Sequence, residues 1–158
     1  MKRRKKPLKR STKPLKRTPL KRSTKPIKRK KRPNRERKTP IGRLKKEITR
    51  LHSLYIRKRD GKCVQCGSTE DLTCGHVLPG RKLSTKWDIG PKGNAHCQCW
   101  PCNRKHVFEP QHYISWYIRT FGFDAFEELK RRDAVIYRWP AHELRELHRV
   151  LMQLVGEE

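Results

Sequence analysis

All six cysteines of the chain lie between positions 63 and 102, and four of them form two C-x-x-C pairs. The pairs are Cys63/Cys66 and Cys99/Cys102. Each pair can present two thiolates to the same side of a metal ion, and four thiolates suit tetrahedral zinc. Because four thiolates leave zinc no open coordination position, the predicted role of this ion is structural. Cys74 and Cys97 lie outside the pairs, and we expect them to be small buried residues.

The two pairs are separated by the 32 residues from Gly67 to Gln98, whereas simple zinc ribbons separate their pairs by roughly 15–20 residues. The additional length predicts an inserted β-hairpin. Its first strand, Leu72–Leu78, places His76 at its end, and Asn94 precedes the second strand. A helix is predicted to begin after the hairpin, because a proline follows at position 101 and proline suits a first helical position.

The residues of this segment resemble those of HNH endonucleases, the ββα-metal or His-Me finger nucleases, with a zinc-bound four-cysteine frame. They are most similar to the phage recombination nucleases of the NinG/Rap type. The shared motif is Gly75-His76, Asn94, His96, Gln98, Cys99, Cys102 and Asn103. The resemblance covers Leu51 to Arg132. It implies an α+β fold with a small zinc-stapled ββα-metal core, in which His76, Asn94 and Asn103 take the H-N-N positions.

The resemblance also implies hydrolysis of DNA phosphodiester bonds. Histidine has an unperturbed pKa that suits a general base near neutral pH, so His76 is predicted to activate the attacking water. A divalent ion, Mg²⁺ or Mn²⁺, would stabilise the leaving oxygen. Asn103 is the candidate ligand of this ion. Asn94 is expected to hold the His76 loop through hydrogen bonds.

One position departs from the wider HNH pattern. Many members carry an acidic metal ligand directly before the base histidine, where this chain and the NinG-type pattern have Gly75. The second ligand is therefore open. His106 is the first candidate, since it would share the inner helix face with Asn103, and Asp71 is the second.

The remaining histidines have weaker assignments. His96 has a position typical of the family, but its role as a ligand or as a structural residue stays open. His76 as a zinc ligand in place of a cysteine is an alternative to its role as base. The others are predicted to be structural or surface residues; they are His52, His112, His142 and His148.

The charge balance points to a polyanionic partner. The 158 residues contain 42 Lys and Arg against 15 Asp and Glu, a net charge of +27, and nucleic acid is the leading partner for such a field. No apolar stretch is long enough to anchor the chain in a membrane or to span one, so a membrane partner is not expected. Six cysteines and no visible export signal favour metal binding in a reducing compartment over disulfides. The expected location is the cytoplasm, that of a bacterial host if a phage encodes the chain.

Residues 1–40 are predicted to form a disordered arm rich in Lys, Arg and Pro. This segment repeats P-L-K-R, and 21 of the 42 basic residues precede Thr39. Its prolines disfavour helix and sheet, and it has little to bury. The arm is predicted to bind phosphates, although a merely solubilising tail is the alternative. The predicted nucleic-acid contacts are Lys9, Arg10, Lys16, Arg17, Lys21, Arg22, Lys28 and Arg29 in the arm, with Arg81, Lys82, Arg104 and Lys105 in the core.

Helices are predicted to flank the core. Residues 41–60 have the apolar spacing of a basic amphipathic helix, which we expect to pack on the zinc module. Residues 61–110 form the predicted HNH core, and 111–158 a helical extension with helices over 113–121, 123–132 and 140–155. The leucine spacing of the last helix fits either a packed core or a homodimer contact.

Three function classes remain open from the sequence, and a ribosome-associated basic protein is the weakest of them. The first is an HNH endonuclease, for which the resemblance implies branched recombination or replication intermediates as substrates and leaves recombination or replication proteins as further partners. The alternative is a non-catalytic, zinc-containing nucleic-acid-binding protein in recombination or RNA handling. His76 and Asn103 favour the first class, because a binding module needs no general base.

Deletion of residues 1–38 is expected to weaken DNA binding and to reduce its salt dependence. Each lost phosphate contact should lower the slope of log K against log salt by about 0.9 on duplex DNA. The measurement is a salt series of binding constants for the full and truncated chains. An unchanged slope would show that the arm does not bind phosphates.

Overall fold

The computed structural model describes residues 39–79 and 84–156. The arm and its eight predicted phosphate contacts lie outside the described residues, as do Arg81 and Lys82. Five helices and a two-stranded sheet make up the described part, which is an α+β fold as predicted. The elements are α1 (Pro40–Asp60), β1 (Leu72–His76), β2 (Ala95–Cys99), α2 (Trp100–Phe108), α3 (Gln111–Phe121), α4 (Phe123–Ala134) and α5 (Ala141–Val155).

Local signals define both ends of α1. The Thr39 side chain accepts a hydrogen bond from the backbone N–H of Gly42 at 3.0 Å, and a proline opens the first turn. Such a cap satisfies an N–H group that has no partner within the helix. Gly61 ends the helix in the left-handed conformation, with φ 68°, which costs glycine little because it has no Cβ.

The main partner of α1 is α5, and the predicted packing of its apolar face on the zinc module accounts for only part of that face. Ile48 and Leu51 are buried against Leu144 and Leu151 of α5, together with Trp87. Leu144 and Leu151 of the α5 leucine pattern are thus buried within one chain, whereas Leu154 is 40 % exposed. Only the last part of α1 reaches the hairpin. The apolar face of this 21-residue helix is long enough to contact both α5 and the hairpin.

A second core joins α3 and α4 to the end of β1. Tyr113, Tyr117 and Leu129 are fully buried, and they pack with Phe126 and Val77. The hydroxyl of Tyr113 donates to the backbone carbonyl of residue 75 at 3.2 Å, and that of Tyr117 to the carbonyl of residue 92 at 2.6 Å. These aromatic rings therefore serve as core and also fasten α3 to the hairpin.

The hairpin lies between two layers of helix. β1 and β2 pair antiparallel, from Leu72 opposite Cys99 to His76 opposite Ala95. Side chains alternate between the faces of a strand. Ala95 and Cys97 of β2 pack with Ile56 of α1. The side chains at the intervening positions of the strands face α2 and α3. Along the described stretches, no helix combines the length and the apolar character needed to cross a membrane.

Candidate functional site

The four paired cysteines converge in the structure. Their four sulfur atoms all lie within 4.8 Å of one another, and the Sγ atoms of Cys66 and Cys99 are 3.5 Å apart. In tetrahedral zinc sites, bonds of about 2.3 Å put neighbouring sulfur atoms about 3.8 Å apart. The donor set and its spacing fit the ion, so the four cysteines could hold zinc.

The cluster connects three segments of the chain. Cys63 and Cys66 stand in a tight turn before β1, closed by a hydrogen bond from the Gly67 N–H to the Cys63 carbonyl at 2.8 Å. Cys99 is the last residue of β2, and Cys102 lies in the first turn of α2. A shared ion would therefore fix the turn, the hairpin and the helix to one another.

The thiols affect one another's ionisation. Burial acts to raise the pKa of Cys63, but backbone N–H groups of Cys99 and Cys66 outweigh it, and the pKa falls to about 7. Burial raises the pKa of Cys102, and the thiols of Cys99 and Cys66 raise it further. Four crowded thiols cannot all ionise together without a cation among them, which agrees with the chemistry of a metal site.

His76 is the last residue of β1, and its ring turns toward α1. Its Nε2 lies 2.8 Å from the carbonyl oxygen of Lys86. A carbonyl only accepts, so Nε2 carries the proton and Nδ1 keeps a lone pair. Burial lowers the pKa of His76, against the opposing effect of the Lys86 carbonyl. The ring is therefore neutral at pH 7.

Asn94 fixes the chain just beyond His76. Its side chain is fully buried. Its Oδ1 accepts from the N–H of Leu78 at 2.8 Å, and its Nδ2 donates to the Leu78 carbonyl and to Thr85 Oγ1, both at 3.0 Å. The amide thus holds the exit of β1 against the loop that returns to β2.

The two candidate ligands on α2 face the other side of β1. Asn103 donates from Nδ2 to Thr73 Oγ1 at 3.1 Å. The His106 ring packs edge-on against Tyr113, with 4.9 Å between centroids. Burial lowers the pKa of His106, while the backbone of His76 acts in the opposite direction. The structure therefore brings Asn103 and His106 to one face of β1 and turns the His76 ring to the opposite face. Asp71, the second candidate ligand, precedes β1 at the far end of the strand.

Gln98 occupies the space in which a side chain at position 75 would lie. A Cβ built on Gly75 would be 1.8 Å from Gln98 Oε1. Gln98 is fully buried, and its Nε2 donates to Gln65 Oε1 at 2.7 Å. Within the described residues, Gln98 Oε1 and His106 Nδ1 are the buried side-chain polar atoms without a hydrogen-bond partner. The sequence analysis placed Gln98 in the shared motif but assigned it no role. Gly75 was a further signal, because a glycine within a strand marks a close approach.

His96 has a structural environment. Its ring is buried, with Nε2 3.1 Å from the Gly93 carbonyl and Nδ1 3.1 Å from an Arg59 nitrogen. It stacks on Phe121. Burial, followed by the charge of Arg59, lowers the pKa of His96 to about 4. Both ring nitrogens are engaged, and the ring lies outside the four-cysteine cluster.

A second group of potential ligands lies on the α1 face of the hairpin. One atom each of His52, Cys74 and His76 fall within 4.8 Å of one another. No sequence motif connects His52 with these strand residues. Cys97 is fully buried, as expected, but Cys74 is only half-buried and its sulfur lies 3.9 Å from His52 Nδ1.

The described residues include two of the predicted nucleic-acid contacts. Arg104 and Lys105 are exposed on α2. The Arg104 guanidinium lies over the Trp100 ring, 5.1 Å from its centroid, and Lys105 is 3.5 Å from Glu109. Exposed pairs of this kind are weak, so both cations can turn toward a polyanion.

Residues 1–157 match the family model described as Bacteriophage Lambda NinG protein. No curated protein and no solved structure matches the chain.

Replacement of Gly75 by alanine is expected to destabilise the fold by about 1–3 kcal/mol, because the new methyl group must displace the buried Gln98 side chain. Adding Gln98→Ala should recover part of this loss by making room. The measurement is urea unfolding. Gly90→Ala is the matched control, since a Cβ there meets nothing within 4 Å. Equal stability of the Gly75→Ala and Gly90→Ala variants would contradict the observed packing.

Proposed function

The chain belongs to the NinG family, whose model matches it over almost its whole length, and from this premise we propose that it is a metal-dependent DNA endonuclease of the HNH type that acts in phage recombination. One observation carries the proposal. A four-cysteine cluster fastens a β-hairpin to the helix that follows it, and a histidine ends the first strand of that hairpin. This order of elements and residues is the one that the sequence shares with HNH nucleases.

His76 is proposed as the general base. Its Nε2–H donates to the Lys86 carbonyl, which fixes the tautomer and leaves Nδ1 to accept a proton from water. Burial lowers the pKa of the ring. Because the folded-state pKa lies below the ordinary value, the imidazole stays unprotonated at neutral pH and becomes protonated only as the pH falls through that lowered pKa.

The α2 face of β1 fits a hard divalent cation such as Mg²⁺ or Mn²⁺. Gln98 Oε1 and His106 Nδ1 are buried without partners, and Asn103 carries an amide oxygen on the same face. Gln98 would supply the oxygen that an acidic residue at position 75 supplies in other HNH nucleases. Neutral ligands hold Mg²⁺ weakly, so waters and the DNA phosphate would complete its shell. When bound, the ion stabilises charge on the leaving oxygen.

The proposed base and the proposed metal ligands lie near each other at the last two residues of β1. Gln98 lies over Gly75, His106 lies beside the backbone of His76, and the His76 ring leaves the strand at its end. A phosphodiester that approaches this end of the strand can contact both faces. Asn94 supports the arrangement by holding Leu78, two residues further on.

The basic charge provides non-specific affinity for DNA. Half of the Lys and Arg residues precede position 39, and the net charge is +27. Phosphate contacts of this kind give affinity without sequence choice. A branched recombination or replication intermediate is the proposed substrate. The resemblance to phage recombination nucleases supports this choice.

A non-catalytic nucleic-acid-binding protein is the second candidate. One observation favours it: the His76 ring and Asn103 lie on opposite faces of β1 rather than facing one cavity. A protein that only binds would need the cysteine cluster and the basic residues, and the orientation of His76 would then have no catalytic consequence.

The test is cleavage of a labelled branched DNA and a matched linear duplex, with Mg²⁺ or Mn²⁺, by the wild type and by His76→Ala. We expect the wild type to cut the branched form faster. The substitution should lower the rate by roughly 100- to 10,000-fold, the usual contribution of a general base, while the zinc at the four cysteines and the DNA affinity stay the same. His142→Ala, which changes an exposed histidine of α5, should cut like the wild type.

The other outcomes separate the candidates. Equal cutting of both DNA forms would retain the nuclease and remove the preference for branches. Equal rates for the wild type and His76→Ala would remove His76 as the base. Tight binding without any cutting would leave the non-catalytic protein.

A further inference from the structure

We propose that His52, Cys74 and His76 form a second metal site, separate from the four-cysteine cluster, that binds a soft divalent cation such as Zn²⁺. The site lies on the α1 face of the hairpin. Neither the family match nor the HNH resemblance assigns a ligand to His52 or Cys74.

The three groups come from different parts of the chain and converge in space. His52 lies in α1, whereas Cys74 and His76 are alternate residues of β1 and so share one face. One ligand atom from each lies within 4.8 Å of the other two. The His52 ring is 2 % exposed, and the two strand residues are half-buried. Such a site is largely shielded from water but retains an access path on one side.

Hydrogen bonds orient both rings for metal binding. His52 Nε2 lies 3.0 Å from the Asp88 carbonyl oxygen, and His76 Nε2 lies 2.8 Å from the Lys86 carbonyl oxygen. Since carbonyls only accept, both Nε2 atoms carry the proton and both Nδ1 atoms keep lone pairs. Histidines that bind metals usually donate their other ring N–H to a carbonyl or carboxylate in this way. The same loop, between the hairpin strands, supplies both carbonyls.

The ligand chemistry selects the class of ion. Two imidazoles and one thiol suit Zn²⁺ or Co²⁺, whereas Mg²⁺ prefers oxygen ligands. On binding, the sulfur–hydrogen bond of Cys74 breaks, the proton passes to solvent, and the thiolate bonds to the ion. Water would fill the fourth coordination position.

One nearby cation is already paired. The charge of Arg59 acts on both His52 and Cys74, and both oxygens of Asp60 accept hydrogen bonds from its guanidinium, at 2.7 and 3.1 Å. The paired carboxylate reduces the repulsion that Arg59 would exert on a bound cation.

Occupancy of this site has a consequence for catalysis, which rests on the proposed function. The lone pair of His76 Nδ1 would be bonded to the ion and could no longer accept a proton from water. Excess Zn²⁺ is therefore expected to inhibit DNA cleavage, and the four-cysteine cluster would play no part in this inhibition.

The experiment is a Co²⁺ titration of the full chain carrying one equivalent of Zn²⁺, followed by optical absorption and native mass spectrometry. The wild type should bind one further equivalent and develop a thiolate-to-cobalt charge-transfer band. Cys74→Ser should lose the band, and His52→Gln, which retains a side-chain donor for the Asp88 carbonyl, should bind the second ion at least about 10-fold more weakly. The control His142→Ala should behave like the wild type.

Retention of the first Zn²⁺ by each variant shows that the four-cysteine cluster, and hence the fold, is intact. The proposal is overturned if the wild type takes up no second ion, or if Cys74→Ser and His52→Gln bind it as the wild type does. Binding of the second ion by a protein that never cuts DNA would sustain this site and remove the proposed function. DNA cleavage by a wild type that binds no second ion would sustain the proposed function and remove this site.

Discussion

The convergence of four thiols between a turn, a hairpin and a helix is the constraint on which the rest of the site depends. Two strands of five residues each are marginal in isolation. Burial and the neighbouring thiols raise the pKa of Cys102, so this thiol resists ionisation unless the four cysteines share a cation. A zinc ion among the four sulfurs would remove this repulsion and fix α2 relative to β1. The position of Asn103 then follows from that of Cys102.

The hairpin that this cluster holds separates two chemical environments. On the α2 face, Gln98 covers Gly75 and leaves its own oxygen without a partner. On the α1 face, His76 and Cys74 approach His52. Amide oxygens suit hard cations, while imidazole and thiol groups suit soft ones. Under the two proposals, this short strand would serve two kinds of ion, and His76 lies at its end.

The sequence predicted what depends on neighbours along the chain. The cysteine pairs, the strand that ends at His76 and the five helices follow from spacing, caps and apolar periodicity. It could not predict what depends on how distant segments meet. The packing of α1 on α5 joins residues about a hundred positions apart, such as Leu51 and Leu151. The contact of Gln98 with position 75 depends on strand register, and His52 has no motif around it.

The role of the four cysteines is tested most directly by hydrogen exchange of the backbone amides before and after removal of zinc with a chelator. Amides of β1, β2 and the first turn of α2 are expected to lose protection, because the shared ion would link these elements. The amides of α1 and α5 should keep most of theirs, because buried leucines join these helices independently of the cysteines. Unchanged protection of the hairpin in the zinc-free protein would show that the four-cysteine cluster does not hold the hairpin in place.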